Sequence, residues 1–259
     1  MKKFELFDLS NKIAVVTGGY GHLGQAICKA LLQADAKVIV AGRNEKKFIE
    51  VFGDTDNIYF EEINLEETAS IKTCFERIGV KYQGIDILVN NGVYLLANDA
   101  ENMTDHEWET GVDGTLNSVF RCIREVIPFM KRSMSGKIIN IASMYGMVPP
   151  NFKIYKNFEG FTNPPNYGVS KAGVIQMTKY YAVYLAKYNI NVNSVSPGPF
   201  PSSQVQSSEG FISNLRDSNP SGRIGKPEDL MGVINFLSSN ASSFVTGQNI
   251  AVDGGWTVW

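Results

Sequence analysis

The sequence predicts one α/β domain built on a doubly wound parallel sheet. Short apolar runs rich in β-branched residues alternate with helix-like stretches along all 259 residues. Strands that alternate with helices in this way form right-handed βαβ units and a parallel sheet. No repeat, low-complexity tract or linker marks a boundary, so residues 1–259 are predicted to form a single domain.

The predicted strands are short apolar runs that end at glycine, proline or polar residues. They cover residues 13–16, 37–41, 85–89, 138–142 and 191–195.

The predicted helices follow apolar spacing and capping patterns. Apolar residues recur at helical spacing from Leu23 onward. Thr104 and Glu107 form a capping-box pattern that predicts a long helix to about Met130. Further helices are predicted over residues 167–187 and from Pro227, where a first turn tolerates proline, to about residue 237.

Charge and composition exclude several classes of function. The formal net charge of −2 offers no electrostatic footprint for nucleic acid or for an anionic membrane. The N-terminal segment carries acids and lacks a long apolar stretch, so no signal peptide is predicted. No run approaches the ~18 apolar residues that a membrane span needs. We therefore predict a cytoplasmic protein.

Cysteine and histidine usage argues against a disulfide framework and against a metal site. Cys28, Cys74 and Cys122 lie in predicted helices without paired spacing, which favours buried thiols in a reducing compartment. The two histidines, His22 and His106, lack ligand spacing, so no metal is predicted.

A glycine loop follows the first predicted strand and opens the next helix, with the pattern Gly19-x-Gly21-x-x-Gly24. In this context glycines permit a tight turn and close approach to a pyrophosphate, and the helix N-terminus offers N–H groups to the anion. The loop therefore predicts a dinucleotide cofactor. A glycine-rich turn without a ligand is the alternative.

The end of the second strand predicts the coenzyme. A carboxylate there would bind the adenosine ribose and favour NAD, whereas this chain has Gly42 followed by Arg43. A guanidinium can form a fork with a 2′-phosphate, so NADP is favoured over NAD. A solvated arginine at a helix start is the alternative.

Tyr167 and Lys171 stand four residues apart, and Ser143 ends an apolar run upstream. Residues four apart in a helix share a face, so the Lys171 ammonium should lie near the Tyr167 phenol. A phenol with a pKa near ~10 needs a fall of about 3, roughly 4 kcal/mol, to work near pH 7. A cation ~4 Å away at an effective dielectric of ~20 supplies about that much. We expect Tyr167 to exchange a proton with a carbonyl or alcohol oxygen that Ser143 orients, as in hydride-transfer chemistry.

Taken in order, these motifs resemble the short-chain dehydrogenase/reductase family over essentially the whole chain. Besides the glycine loop and Tyr167-x-x-x-Lys171, the matching segments are 86–92, Ser143, 196–198 and 245–255. The resemblance implies a Rossmann fold, a nicotinamide cofactor and a homotetramer or dimer. It assigns proton transfer to Tyr167, and to Lys171 the additional role of binding the nicotinamide ribose.

Two sets of site residues follow. The predicted catalytic residues are Ser143, Tyr167, Lys171 and Thr115. The predicted cofactor-binding residues are Gly18, Tyr20, Gly21, His22, Leu23, Arg43, Asn64, Leu65, Asn91, Gly92, Tyr167, Lys171, Pro197, Gly198 and Phe200.

Three departures from the family pattern concern single positions. The glycine spacing is that of the longer, sugar-nucleotide-modifying branch, and in the compact branch's spacing His22 replaces a glycine. Val93 stands where a glycine usually ends the Asn-Asn turn. Thr115 stands where the family's catalytic asparagine holds a water; Asn117 lies about 200° further around a helix and substitutes poorly.

The fourth departure is a long insert between Ser143 and Tyr167, which lie 24 residues apart, roughly twice the usual spacing. Because chemistry at a doubly wound sheet occurs beyond the strand C-termini, we expect substrate loops at about residues 145–166 and 199–222. A surface or subunit-contact loop is the alternative. Insert side chains that would suit a polyhydroxylated substrate are Tyr155, Asn157, Thr162 and Asn163.

These residues predict an NAD(P)-dependent oxidoreductase that interconverts a secondary alcohol and a ketone on a sugar, sugar acid or polyol. Its expected partners are a small-molecule substrate and copies of itself. Two alternatives remain open. The altered Thr115 position would suit a non-catalytic nicotinamide sensor, and the glycine spacing would suit a sugar epimerase or dehydratase that retains its cofactor.

Overall fold

The structure, a computed structural model, describes residues 5–156, 158 and 161–259. Within them the strands of one sheet are β1 (Ile13–Thr17), β2 (Lys37–Gly42), β3 (Ile58–Glu62), β4 (Ile87–Asn90), β5 (Gly136–Ile141), β6 (Ile190–Pro197) and β7 (Asn249–Val252).

All neighbouring strands of this sheet are parallel, in the order β3-β2-β1-β4-β5-β6-β7. The order reverses between β1 and β4, and such a switch point opens a crevice beyond the carboxyl ends of the strands. The predicted doubly wound parallel sheet in one domain is confirmed.

Helices cover both faces of the sheet. They are α1 (His22–Gln33), α2 (Glu45–Phe52), α3 (Thr68–Lys81), α4 (Asp105–Val112), α5 (Ser118–Ser133), α6 (Pro165–Leu185), α7 (Ser203–Gln206), α8 (Glu209–Asp217) and α9 (Met231–Ser238). One buried cluster joins the sheet to α3, α5 and α6, and a second joins it to α1, α2 and α9. These two apolar layers hold the strand ends, and therefore the crevice, in fixed positions.

The two edge strands, β3 and β7, are absent from the predicted strands. Both are only partly buried, and β3 ends in the charged residues Glu61 and Glu62. Because an edge strand needs less apolar surface than a central one, its sequence carries a weaker strand pattern.

The long helix predicted from Thr104 to Met130 is interrupted, which corrects that prediction. Its capping box is present: the Thr104 hydroxyl accepts from the Glu107 amide at 3.3 Å, and the Glu107 carboxylate accepts from the Thr104 amide at 2.8 Å. A π-helical turn (Asp113–Asn117) then separates α4 from α5. At Gly114 a Cβ would lie 1.9 Å from the Tyr94 carbonyl oxygen, so the backbones approach closely here.

The segments predicted as substrate loops differ in regular structure. Residues 199–222 contain α7 and α8, whereas the described residues between 147 and 164 belong to no helix or strand, and α6 begins at Pro165. The polar residue Asn157 of the insert lies outside the described residues. The C-terminal helix predicted from Pro227 begins as a 3₁₀ turn (Pro227–Leu230) before α9.

The three cysteines are buried in α1, α3 and α5, as predicted. Burial raises the pKa of the Cys74 thiol to about 12 and also raises the pKa values of Cys28 and Cys122, so none of them is an activated nucleophile. No helix among the described residues is long and apolar enough to cross a membrane. No group of three or more His, Cys, Asp or Glu in the same part of the chain could hold a metal ion.

Candidate active site

The glycine loop between β1 and α1 forms a close-packed cradle. Gly18 adopts a left-handed φ of 63°, and a Cβ on Gly24 would lie 2.4 Å from the Gly18 carbonyl oxygen. Gly21 caps α1 without a side-chain hydrogen bond, so the first N–H groups of the helix remain open to a ligand. The cradle therefore fits the pyrophosphate of a dinucleotide.

The end of β4 is held against this loop by hydrogen bonds. The Thr17 hydroxyl accepts from the backbone amides of Asn91 at 3.0 Å and Gly92 at 2.9 Å. The side-chain amide of Asn91 donates to the backbone carbonyls of Thr17 at 3.1 Å and Gly18 at 3.0 Å. These contacts fix the two sides of the crevice relative to each other.

Tyr20 occupies the end of β2, where the adenosine ribose is expected. A Cβ on Gly42 would lie 2.4 Å from the Tyr20 ring. The Tyr20 hydroxyl accepts from the backbone amides of Arg43 at 3.0 Å and Asn44 at 3.2 Å. Arg43 itself is exposed and pairs with the Glu66 carboxylate at 2.7 Å. Its guanidinium is thus close to the ribose position but already has an anionic partner.

Ser143, Tyr167 and Lys171 meet beyond the end of β5. Ser143 is buried and accepts from the Tyr145 amide at 3.2 Å, while Tyr167 and Lys171 lie one turn apart in α6. The Lys171 ammonium lies 5.5 Å from the centre of the Tyr167 ring and donates to the Ile141 carbonyl at 2.6 Å. The predicted shared face of Tyr167 and Lys171 is present.

The electrostatics of this group correct one expectation. Burial raises the pKa of Tyr167, although the hydrogen bond from Ser143 opposes the rise. Burial also lowers the pKa of Lys171 from 10.5 to about 8. The pKa of Tyr167 is thus shifted in the direction opposite to the expected depression, because burial is the largest influence on the phenol.

The π-helical turn carries Thr115, whose side chain is buried. Its hydroxyl has no hydrogen-bond partner among the described residues, which leaves a buried donor and acceptor available. Asn117 is exposed and donates to the Asp113 carboxylate at 3.0 Å. Asn117 therefore contacts Asp113 at the surface, whereas Thr115 is buried.

The cleft itself has a volume of about 470 Å³. All fifteen predicted cofactor residues and Ser143 line it, whereas Thr115 does not. Their individual roles remain predictions. Sequence reasoning missed seven further lining residues: Ala41, Gly42, Ile63, Val93, Tyr94, Ile141 and Ala142.

Tyr94 is the missed residue with the most extensive contacts. Its hydroxyl donates to Asp113, which also pairs with Arg121, and the pKa of the Tyr94 phenol is raised by burial and by that carboxylate. The network ties the cleft wall to the π-helical turn that carries Thr115. No local sequence pattern could have predicted this network, because Tyr94 is distant in the sequence from its partners Asp113 and Arg121.

The insert lies against α8 on the substrate side of the cleft. Phe161 stacks on Phe211 of α8 with ring centres 4.5 Å apart, and Phe158 packs edge-on to Phe211 at 5.5 Å. The hydroxyls of Tyr145 and Tyr155 are 2.6 Å apart. Tyr145, Tyr155, Phe161 and Phe211 line a further cavity of about 300 Å³, which Ser143 and Tyr167 also line.

Comparison with known proteins defines the family. The model of a family described as enoyl-(acyl carrier protein) reductase matches residues 21–257. The 2-dehydro-3-deoxy-D-gluconate 5-dehydrogenase of Escherichia coli (strain K12) is 34% identical over an alignment 266 residues long. The alignment covers 96% of this chain and 97% of that protein. The chain belongs to the short-chain dehydrogenase/reductase family and is an NAD(P)-dependent oxidoreductase acting between alcohol and ketone.

Two solved structures show how closely the fold is shared. A short-chain dehydrogenase from Leptospira borgpetersenii with bound NAD+ has a TM-score of 0.89 and 31% identity, covering 100% of this chain and 97% of that one. A gluconate 5-dehydrogenase from Burkholderia cenocepacia J2315, in complex with NADP and tartrate, has a TM-score of 0.87 and 27% identity, covering 98% of each chain. Similar structures thus hold either coenzyme.

Proposed function

We propose that this enzyme interconverts a secondary alcohol and a ketone on a sugar-like substrate, with Tyr167 as the proton donor and acceptor. One observation carries the proposal: Ser143 and Tyr167 line both the 470 Å³ cleft and the 300 Å³ cavity. A substrate oxygen between these hydroxyls would place the adjacent carbon at the junction of the two spaces. Hydride transfer requires such a junction between coenzyme and substrate.

The glycine loop, Asn91, Pro197 and Gly198 would hold the coenzyme, whose nicotinamide supplies or accepts the hydride. In ketone reduction Tyr167 gives its proton to the substrate oxygen, and in alcohol oxidation it takes one. Ser143 orients that oxygen by a hydrogen bond. Lys171, anchored by its hydrogen bond to Ile141, supplies a positive charge beside the phenol.

Thr115 is proposed to complete the proton path. Its buried hydroxyl has no hydrogen-bond partner within the described ranges, so it can bind a water that links Lys171 to solvent without breaking an existing hydrogen bond. In the short-chain dehydrogenase/reductase family, an asparagine at the position corresponding to Thr115 holds this water.

NADP remains the favoured coenzyme in this proposal. The Arg43–Glu66 pair is exposed, and exposed ion pairs are worth only about 0–1 kcal/mol, so a 2′-phosphate can displace the carboxylate. A bidentate contact to phosphate is stronger than that pair.

A homo-oligomer is also part of the proposal. The outer face of α6 exposes Tyr180, Val183 and Tyr184, and Val183 is 82% exposed. A contiguous apolar face of this kind is typical of a subunit contact. Light scattering of wild type and Val183→Asp would reveal a fall in mass if this face joins subunits.

The experiment that tests the function is nicotinamide absorbance with NAD(H) and NADP(H) over a panel of polyols, keto-sugars and sugar acids. An oxidoreductase consumes or produces reduced coenzyme in proportion to product. A redox sensor would bind coenzyme without turning over any panel member. An epimerase or dehydratase would convert substrate with no net change in reduced coenzyme.

A further inference from the structure

The cavity beside Tyr167 and Ser143 has an uncharged lining. Its polar groups are the hydroxyls of Tyr145, Tyr155 and Thr162 and the amide of Asn163, and aromatic rings form much of the rest. Among the described residues, no Asp, Glu, Lys or Arg lines it. Its volume of about 300 Å³ is at the small end of ligand pockets, which suits a single sugar-sized molecule.

The basic residues of the neighbouring segments do not line this cavity. Lys171 donates to the Ile141 carbonyl and lines the cofactor cleft. Arg216 of α8 is exposed, and neither it nor Lys153 or Lys156 contributes to the cavity lining. Lys153 and Lys156 line an adjoining cavity together with Asp99 and Glu101, and the two cavities share Tyr145, Tyr155, Phe161, Thr162 and Asn163. A carboxylate in the cavity beside Tyr167 would therefore find no cation among the described residues that line it.

Tyr145 and Tyr155 form the polar centre of the cavity. With their hydroxyl oxygens 2.6 Å apart, one hydroxyl donates to the other, which leaves one O–H free to donate and lone pairs free to accept. The side-chain amide of Asn163 lines the same cavity, lowers the pKa of Tyr155 and adds a further donor and acceptor. Burial raises the pKa of both phenols, so the pair stays neutral over the physiological range. A neutral donor–acceptor pair matches a substrate hydroxyl.

We propose that this cavity takes an uncharged polyhydroxylated substrate, a sugar or polyol rather than a sugar acid, and that the Tyr145–Tyr155 pair binds one of its hydroxyls. The proposal rests on the proposed function, because it needs Tyr167 to act on a substrate in this cavity. Aromatic faces of Phe161 and Phe200 would pack on the C–H faces of the substrate, while the hydroxyl pair specifies its orientation. The substrate class thus differs from the gluconate derivatives named for the relatives.

Pairs of substrates that differ only in carrying a carboxylate or a neutral amide test whether the cavity disfavours a charged substrate. The probes are D-gluconate with D-gluconamide and D-galactonate with D-galactonamide, with D-glucitol as a neutral polyol. We expect kcat/KM for the amide to exceed that for the acid by roughly tenfold, because the amide can hydrogen-bond the neutral lining whereas the charge of the acid finds no partner there. Equal or higher kcat/KM for the acids would overturn the proposed substrate class while leaving the oxidoreductase function intact. No turnover of any probe would instead contradict the proposed function and this inference with it.

A gain of function supplies the complementary test. Val205 lines the cavity and is only partly buried, so Val205→Arg can place a guanidinium there. We expect the ratio of kcat/KM for acid over amide to rise at least about tenfold, as for a new charge-assisted contact. Val205→Gln is the matched control for size, and an equal ratio change in both variants would contradict the charge argument.

The hydroxyl pair is tested with Tyr155→Phe, which keeps the ring against Phe211. We expect about a tenfold loss of kcat/KM on D-gluconamide, the value of one hydrogen bond, and a much smaller loss on cyclohexanone, which has no hydroxyl to bind. A purely structural role would lower both activities together, and that result would remove Tyr155 as a specificity residue. Coenzyme affinity, measured by fluorescence, reports whether the variant is folded.

Discussion

The Lys171 ammonium lies 5.5 Å from the centre of the Tyr167 ring and is anchored to the Ile141 carbonyl at 2.6 Å. This anchor fixes the distance between the two side chains. Burial lowers the pKa of Lys171 to about 8 and raises that of Tyr167. As the pH rises through about 8, Lys171 therefore loses its proton before Tyr167 does.

Ketone reduction should weaken above about pH 8. Below that pH the Lys171 ammonium is charged and Tyr167 carries the proton that it donates; above it, Lys171 loses its charge. We expect kcat/KM for reduction to fall by up to about tenfold per pH unit on this limb, with an apparent pKa that belongs to the coupled pair. A profile from about pH 6 to 10 checks it. A flat profile to pH 10 would show that the charge on Lys171 is not required.

Lys171→Met should stabilise the fold while abolishing activity. The pKa of Lys171 falls from 10.5 to about 8 on folding, so at pH 7 its charge costs about 3 kcal/mol. The variant also loses the hydrogen bond to Ile141, which destabilises it by about 1 kcal/mol. The net result is an increase of about 2 kcal/mol in the free energy of unfolding. The gain should shrink as pH rises from about 8 toward 10.5, because the wild-type folded state then sheds the costly charge. Urea unfolding at pH 7 and 10 measures both values, and lower stability of the variant at pH 7 would contradict the burial argument.

Coenzyme preference should follow Arg43 and Glu66. Arg43→Ala removes the group proposed to hold a 2′-phosphate, so we expect NADPH affinity to fall by about tenfold or more and NADH affinity to change by less than about twofold. Glu66→Gln removes the competing carboxylate and should tighten NADPH binding. Calorimetric titration of both coenzymes measures these affinities. An equal effect of Arg43→Ala on both would eliminate it as a phosphate-binding residue.

Thr115→Val should separate a proton path from a structural role. The Thr115 hydroxyl is buried and has no partner in the described part of the chain, so its replacement by a methyl group should leave stability unchanged or higher. If the hydroxyl serves the proton path, kcat should fall by about tenfold, in the range of general acid–base contributions. Thr115→Asn, which introduces the family's usual residue, is the companion variant and should retain activity. Wild-type kcat in Thr115→Val would exclude the hydroxyl from proton transfer.

Much of the fold was predictable because its determinants are local. The central strands are apolar runs, and the catalytic and glycine motifs stand at fixed offsets from strand ends, so their convergence on one crevice follows from parallel topology. The ribose-side contact of Tyr20 with Gly42 was not predictable, because it joins residues 22 apart through a tertiary fit.

The other features that the sequence did not predict also depend on contacts between residues far apart in the chain or on burial. The π-helical turn depends on the approach of Tyr94 to Gly114, and the Tyr145–Tyr155 pair depends on how the insert folds back. The pKa of Tyr167 is raised rather than lowered because burial, which no local sequence pattern reports, is its largest cause, and burial likewise lowers the pKa of Lys171.

Tyr167→Phe tests the central claim most directly, with kcat/KM on a turned-over substrate and coenzyme affinity measured on the same preparation. The account predicts a loss of at least about 1000-fold in kcat/KM with coenzyme affinity within about threefold of wild type, since the phenol moves the proton. Tyr59→Phe, at an exposed tyrosine of β3 that does not line the cleft, is the matched control and should keep wild-type activity. Turnover near the wild-type rate in Tyr167→Phe would contradict the account.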